Sequence, residues 1–136
     1  MKKILNLKTG FTLVETLVAL AIFIIAVLVV IQVFPVGLKS TIRSRDETMA
    51  INLLQSKIED VTNQTYDDVI NVSETRFSTD QADPYYKFQY QISVQYIKGD
   101  LTDSGTDLGL KKVTVFVFWP EFGQEKTLAG NYIKKK

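Results

Sequence analysis

The chain has 136 residues, 46% of them hydrophobic, which leaves room for one membrane-length segment and one small domain but not for a second globular domain. It contains no cysteine and no histidine, so disulfide and thiolate chemistry are excluded and the commonest general base and metal ligand are missing. The 16 basic and 15 acidic residues nearly cancel, and no basic face is available as a nucleic-acid footprint beyond the terminal Lys134-Lys135-Lys136, which reads as a solvated tail.

Residues 1–10 carry Lys2, Lys3 and Lys8 without an acid, in the manner of the charged region of a secretory signal. From Phe11 to Phe34 the only polar residues are Thr12, Glu15, Thr16 and Gln32. As a helix this stretch would be roughly 36 Å long at about 1.5 Å per residue, enough to cross a hydrocarbon core of about 30 Å. The single ionisable residue in it, Glu15, costs about 2.5 to 3.5 kcal/mol on insertion scales and so marks a functional position. An ordinary signal is cut after its apolar run. Here the small residue, Gly10, precedes the run, so a cut there would remove the charges and keep the apolar helix.

The segment Lys8-Thr9-Gly10-Phe11-Thr12-Leu13-Val14-Glu15-Thr16-Leu17-Val18-Ala19-Leu20-Ala21-Ile22 resembles the class III signal of type IV pilins and pseudopilins. The resemblance implies cleavage between Gly10 and Phe11 by a membrane-embedded prepilin peptidase on the cytoplasmic side, followed by N-methylation of Phe11. It also implies that Glu15, four residues or one helical turn from Phe11, is the assembly determinant. The leader would be residues 1–10, the transmembrane and filament-core helix 11–37, and an extracytoplasmic pilin domain 38–136. Loss of the leader's three lysines would leave 13 basic and 15 acidic residues, a net charge of −2.

Lys39, Arg43 and Arg45 match the leader lysines in number, so charge alone does not orient the segment. The resemblance does, with the N-terminus cytoplasmic and the following domain outside.

Pro35 and Gly37 predict a bend or loosening of the helix, with a true break into two helices as the alternative. Leu38, Ile42, Met49, Leu53, Ile58 and Val61, with Ala50 and Leu54 beside them, recur at helical spacing and carry an amphipathic stripe to about Asn63. Residues 63–84 are turn-rich, and Tyr66, Val69, Ile70, Val72 and Phe77 are expected to tuck a helical turn and a small strand onto the core.

Tyr86 to Tyr96 alternates Tyr86, Phe88, Tyr90, Ile92, Val94 and Tyr96 with lysine, glutamine and serine, the pattern of a strand with one wet face. The loop from Lys98 to Leu110 offers Asp100, Asp103 and Asp107 as weak calcium candidates. Their spacing fits no EF-hand, and Asp, Ser and Gly are ordinary turn residues, so no metal site is expected. Lys112 to Trp119 reads as a strand, central or partly covered by a neighbour, stopped by Pro120, then Glu121-Phe122-Gly123-Gln124 as a turn and Glu125 to Ile133 as the returning strand. These last elements resemble the C-terminal hairpin of minor pilins and minor pseudopilins.

The expected fold is α+β: one long N-terminal helix packed by its second half on an antiparallel sheet of three or four strands. The expected function is that of a structural subunit of a type IV pilus, or of a type II secretion or competence pseudopilus, more a minor than a major one, without enzymatic activity and without a cofactor. Its expected partners are other pilin subunits, the prepilin peptidase, the assembly platform of the cytoplasmic membrane and membrane lipid, with no nucleic acid. A non-polymerising single-pass membrane protein with a small outer binding domain is the alternative.

Overall fold

The computed structural model describes residues 11–136 and contains one helix and four strands. The helix, α1, is Leu13–Asn63, and the strands are β1 (Val72–Arg76), β2 (Gln89–Tyr96), β3 (Leu110–Glu121) and β4 (Gln124–Lys135). The chain divides into two compact units, one ending at Ile42 and one running from Arg43 to Lys136.

In the first unit α1 is apolar on all sides from Leu17 to Phe34, Gln32 apart. Its richest 18-residue window has a mean hydropathy of 3.2 and is 0% buried, which fits a helix meant for lipid or for other helices rather than for its own core. The helix runs through Pro35 without a break, so the two-helix alternative is not what forms. Proline still withholds its own backbone donor, and the Thr41 hydroxyl donates to the Gly37 carbonyl at 3.1 Å, a back-bond of the kind that slackens a helix.

In the second unit α1 becomes one-sided. Asp46, Ala50, Leu54 and Val61 are its buried residues, at spacings of four, four and seven, and Met49, Leu53 and Ile58 flank them. Leu38 and Ile42, expected on the same stripe, are exposed. The buried face is continued towards the N-terminus by a carboxylate, which hydrophobic periodicity does not register.

The sheet is antiparallel throughout, in the order β1-β2-β3-β4. β3 is central to most of it, and Val113, Val115 and Val117 are fully buried, with Trp119 next to them. Each such valine contributes about 1.5 to 3 kcal/mol relative to exposure. The same face carries Leu128, Gly130 and Tyr132 from β4, opposite Val117, Val115 and Val113. Gly130 eases a close contact: a Cβ there would lie 2.6 Å from the Ile58 Cδ1, and that side-chain end would have to shift aside, so the missing side chain lets α1 approach β4 closely.

Three strand expectations need correction. β2 begins at Gln89, because Tyr86 and Phe88 belong to a turn in which their amides donate to Asp83 and Tyr85 carbonyls, although Phe88 is fully buried as its alternation suggested. Ile70 does not reach the core and is 64% exposed. Pro120 does not end β3, which continues to Glu121. Glu121 and Gln124 flank a two-residue turn and form its hydrogen-bonded pair, so the next pair, Pro120 and Glu125, is a non-bonded one. The proline nitrogen then faces away from β4, towards the side where β2 has already ended at the Gln89–Phe118 pair. No ladder bond is lost.

That turn has positive φ at both centres, 48° at Phe122 and 82° at Gly123, as a type I′ turn demands. Glycine meets the demand freely. Phenylalanine does so at a cost of about 1–2 kcal/mol.

Charged residues tie the two ends of this half-helix to the sheet. At its start the Lys87 ammonium lies 2.6 Å from the Asp46 carboxylate, whose side chain is only 7% exposed, while Arg43 and Lys126 approach the buried Glu121 carboxylate at 3.8 and 3.9 Å. At its end α1 has no basic residue in the last turn, and Lys134, which faces Lys111 across β3 and β4, supplies the missing charge while Lys111 holds the turn that follows. Lys134 Nζ donates to the carbonyls of Thr62 (2.6 Å) and Gln64 (2.5 Å), and the buried Lys111 to those of Tyr66 (2.8 Å) and Val69 (3.2 Å). Carbonyls at a helix C-terminus lack intrahelical donors and sit at the negative end of the dipole, so cations there are satisfied without a carboxylate. Lys134 is thus not part of a solvated tail.

The connection after α1 is pinned by Tyr66, whose hydroxyl donates to Asp107 at 2.5 Å while its ring lies 4.2 Å below the Lys111 ammonium. Burial, then the bond to Asp107, pushes the Tyr66 phenol well above its ordinary value; the same bond, then the Gly109 amide, holds Asp107 below the carboxylate range.

Lys87→Met should destabilise the sheet unit by about 1–3 kcal/mol, since it strands a buried carboxylate, whereas Asp46→Leu with Lys87→Met should return most of that loss. Denaturation of the full chain in detergent, followed by the single Trp119, measures both. For Tyr66 the signs give a bell-shaped dependence. Asp107, with its lowered folded value, stabilises fully above its unfolded value of 3.8 and loses that as pH falls, whereas Tyr66, with its raised value, stabilises fully below 10.0 and loses that as pH rises. The destabilisation caused by Tyr66→Phe should therefore be greatest at neutral pH and shrink towards both extremes in the same denaturation assay.

Candidate functional site: the capped start of an apolar helix

Phe11 and Thr12 precede α1, and Leu13 is its first residue. Thr12 is the N-cap: its hydroxyl oxygen accepts the Glu15 backbone amide at 3.3 Å, and its carbonyl accepts the Thr16 amide at 3.2 Å. Thr12 and Glu15 stand three apart, the spacing of a capping box, and this signal defines the start of the helix within an otherwise featureless apolar run. Phe11 therefore lies outside the helix, and its four-residue separation from Glu15 is not a helical turn.

The other hydroxyl in this region is also used internally, since Thr16 Oγ1 donates to the carbonyls of Thr12 (3.0 Å) and Leu13 (3.2 Å). Glu15 differs. It is the acid of the first turn, placed where the positive end of the helix dipole favours it, and among the described residues no hydrogen bond or ion pair reaches its carboxylate. The side chains from Phe11 to Arg45 are all exposed. One carboxylate thus stands on a surface that is otherwise greasy, an arrangement able to select a cationic partner within an apolar environment and unsuited to acid–base catalysis of a soluble substrate.

The remaining expected positions are dispersed. Pro35 and Gly37 lie in α1, two turns or more beyond the midpoint of the apolar run. The three aspartates of the β2–β3 loop do not converge on a cation, and among the described residues no group of three or more metal-ligating side chains exists. Asp100 accepts from the amide and hydroxyl of Thr102 (3.1 and 2.6 Å), Asp107 accepts from Tyr66 and the Gly109 amide (2.8 Å), and Asp103 pairs through its backbone with Ile97. The Asp100 and Asp107 carboxylates are thus spent on hydrogen bonds within the chain. Gly10 and the leader lie outside the described residues.

Residues 5–31 match the family model described as the prokaryotic N-terminal methylation motif. The matched span includes the Gly10–Phe11 junction, the Thr12 cap, Glu15 and the apolar run as far as Ile31. No curated protein and no solved structure matches the chain. Set on a long apolar helix ahead of an antiparallel sheet, this class III motif supports the type IV pilin and pseudopilin family for the chain.

Proposed function

We propose that the chain is a structural subunit of a type IV pilus or of a type II secretion or competence pseudopilus, and that its N-terminal helix is the assembly element. The observation that carries this reading is the lone Glu15 carboxylate, unpaired among the described residues, on the exposed apolar helix within the methylation motif. In this reading the prepilin peptidase cuts after Gly10 and methylates Phe11, leaving a cationic amine at the new N-terminus. The subunit waits in the cytoplasmic membrane with that end on the cytoplasmic side, and the assembly platform then moves it into an extracellular filament. The apolar segment exchanges lipid for neighbouring helices, so the hydrophobic cost of leaving the bilayer largely cancels. Apolar packing specifies axial register poorly. A carboxylate that must meet an amine, in its own chain or the next, specifies it well. The β3–β4 hairpin favours a minor subunit, by its likeness to the C-terminal hairpin of that subtype.

Two experiments test this. Intact-mass measurement from a host containing the peptidase should show a chain beginning at methylated Phe11, and Gly10→Val should leave uncut precursor in the membrane; a mature chain beginning beyond Leu20 would overturn the reading.

Glu15→Ala should be cleaved normally and stay in the membrane but be depleted from sheared filaments when expressed beside wild type. An amine left unpaired in a dry helix bundle costs about 3–5 kcal/mol, enough to exclude the variant almost completely. Glu15→Asp should be partly impaired. Normal incorporation of Glu15→Ala would remove the pairing mechanism, and recovery of wild type only from membranes would favour an anchored protein that does not polymerise.

A further inference from the structure

Side chains alternate along a strand, so with Val113, Val115, Val117 and Trp119 in the core, Thr114, Phe116 and Phe118 belong to the opposite face of the sheet. Their partners across the two ladders share that face: Ser93, Gln91 and Gln89 on β2, and Asn131, Ala129 and Thr127 on β4. These nine residues make three rows of three without a single charge. On the middle strand the Phe116 and Phe118 rings stand 6.1 Å apart at 18°, a nearly parallel pair. The charges that border the block are Lys112, Glu125 and Arg76, and Arg76 is already held by the carbonyl and the ring of Tyr86.

Two observations decide what such a face can hold. Among the described residues, the amides of Gln89, Gln91 and Asn131 and the hydroxyls of Ser93, Thr114 and Thr127 form no hydrogen bond within the chain, whereas Thr65, Thr75, Thr102 and Ser104 all use theirs internally. Each of the six can both donate and accept. The two phenyl rings, moreover, are half-buried, so neither stands out as an anchor for a pocket on a protein partner. Nucleic acid needs a row of cations along its phosphates, and the block has none. A sugar ring needs neither. The C–H groups of one of its faces pack on the electron-rich face of a phenyl ring, and its hydroxyls exchange hydrogen bonds with amides and hydroxyls around it.

The length of the face suits a polymer. Six residues separate Phe118 from Lys112, about 20 Å at 3.3 Å per residue. At that end the face continues into a cavity of about 240 Å³ lined by Lys112, Asn131 and Ile133 and, from the loop before β3, Ile97 and Leu101. We propose that this face is a binding platform for an uncharged polysaccharide, with Phe116 and Phe118 as its stacking residues and the surrounding amides and hydroxyls as its hydrogen-bonding groups. It lies wholly within the Arg43–Lys136 unit, so it does not depend on how the apolar helix is used.

The full chain, kept in a polyoxyethylene detergent that carries no sugar, is sedimented with microcrystalline cellulose, with chitin and with anionic alginate beads. Retention on cellulose or chitin should exceed that on alginate severalfold, and the matching soluble hexasaccharide should displace the chain at concentrations at least tenfold below those of the monosaccharide. Retention on chitin alone assigns an N-acetylated strand of the cell-wall kind, and retention on cellulose alone a non-acetylated one; either supports the proposal. Phe116→Thr with Phe118→Thr should lower retention at least tenfold, and Phe116→Tyr with Phe118→Tyr should keep it. Thr127→Glu, at an exposed position where the fold tolerates a charge, should lower retention severalfold with an unchanged thermal midpoint. Retention on neither neutral polymer, preference for alginate, or indifference to both the threonine pair and Thr127→Glu overturns the proposal. So does a change in the oligomeric state of the full chain on Phe116→Thr with Phe118→Thr while retention is kept, which would assign the face to contact between copies.

Discussion

α1 has to be a single helix in two different surroundings, and the rest of the molecule is arranged around that constraint. From Leu17 to Phe34, Gln32 apart, its surface is apolar in every direction, which no water-facing helix tolerates and which lipid or a bundle of like helices requires. From Asp46 onwards only one stripe is buried, and the sheet exists to cover it. A 51-residue helix needs no tertiary support for its backbone bonds, but its amphipathic half has no stable alternative to packing on β3 and β4.

Apolar packing alone would let that half-helix slide along the sheet, since valines and leucines offer no directional bond. The polar contacts fall at its two ends. Asp46 with Lys87 and Arg43 with Glu121 hold the beginning, while Lys134 and Lys111 hold the carbonyls of the end and of the turn that follows. Between them lies the close approach over Gly130, where any side chain would push Ile58 away. Without a disulfide, the β2–β3 loop is held to the post-helix turn by the Tyr66–Asp107 bond, so electrostatics and hydrogen bonds do what a covalent closure does elsewhere.

The N-terminal region uses its few polar groups economically. Thr12 and Thr16 spend their hydroxyls on the helix's own first turn, and among the described residues no hydrogen bond or ion pair reaches the Glu15 carboxylate. A helix whose start is capped by threonine does not require its acid for capping. That separation of duties would let Glu15 take the recognition role proposed for it without loosening the helix it stands on.

What the sequence determined by itself was whatever depends on neighbours in the chain. The basic leader, Gly10, the offset Glu15 and the apolar run are contiguous, and helical and strand periodicities are local, so the long helix, the alternating strands and the Glu121-Phe122-Gly123-Gln124 turn were legible before any packing was known. Tertiary structure decided the cases in which a residue's role depends on a distant partner. Asp46 looks like a surface acid until Lys87 meets it, Lys134 looks solvated until the end of α1 meets it, and Ile70 looks like core although it is left exposed. Pro120 reads as a strand stop because its missing donor is visible in sequence, whereas the early end of β2, which makes that donor unnecessary, is not. The calcium candidates followed the same rule: their spacing is local, but Asp107 is claimed by Tyr66 from 41 residues away, and only the fold brings that phenol within reach.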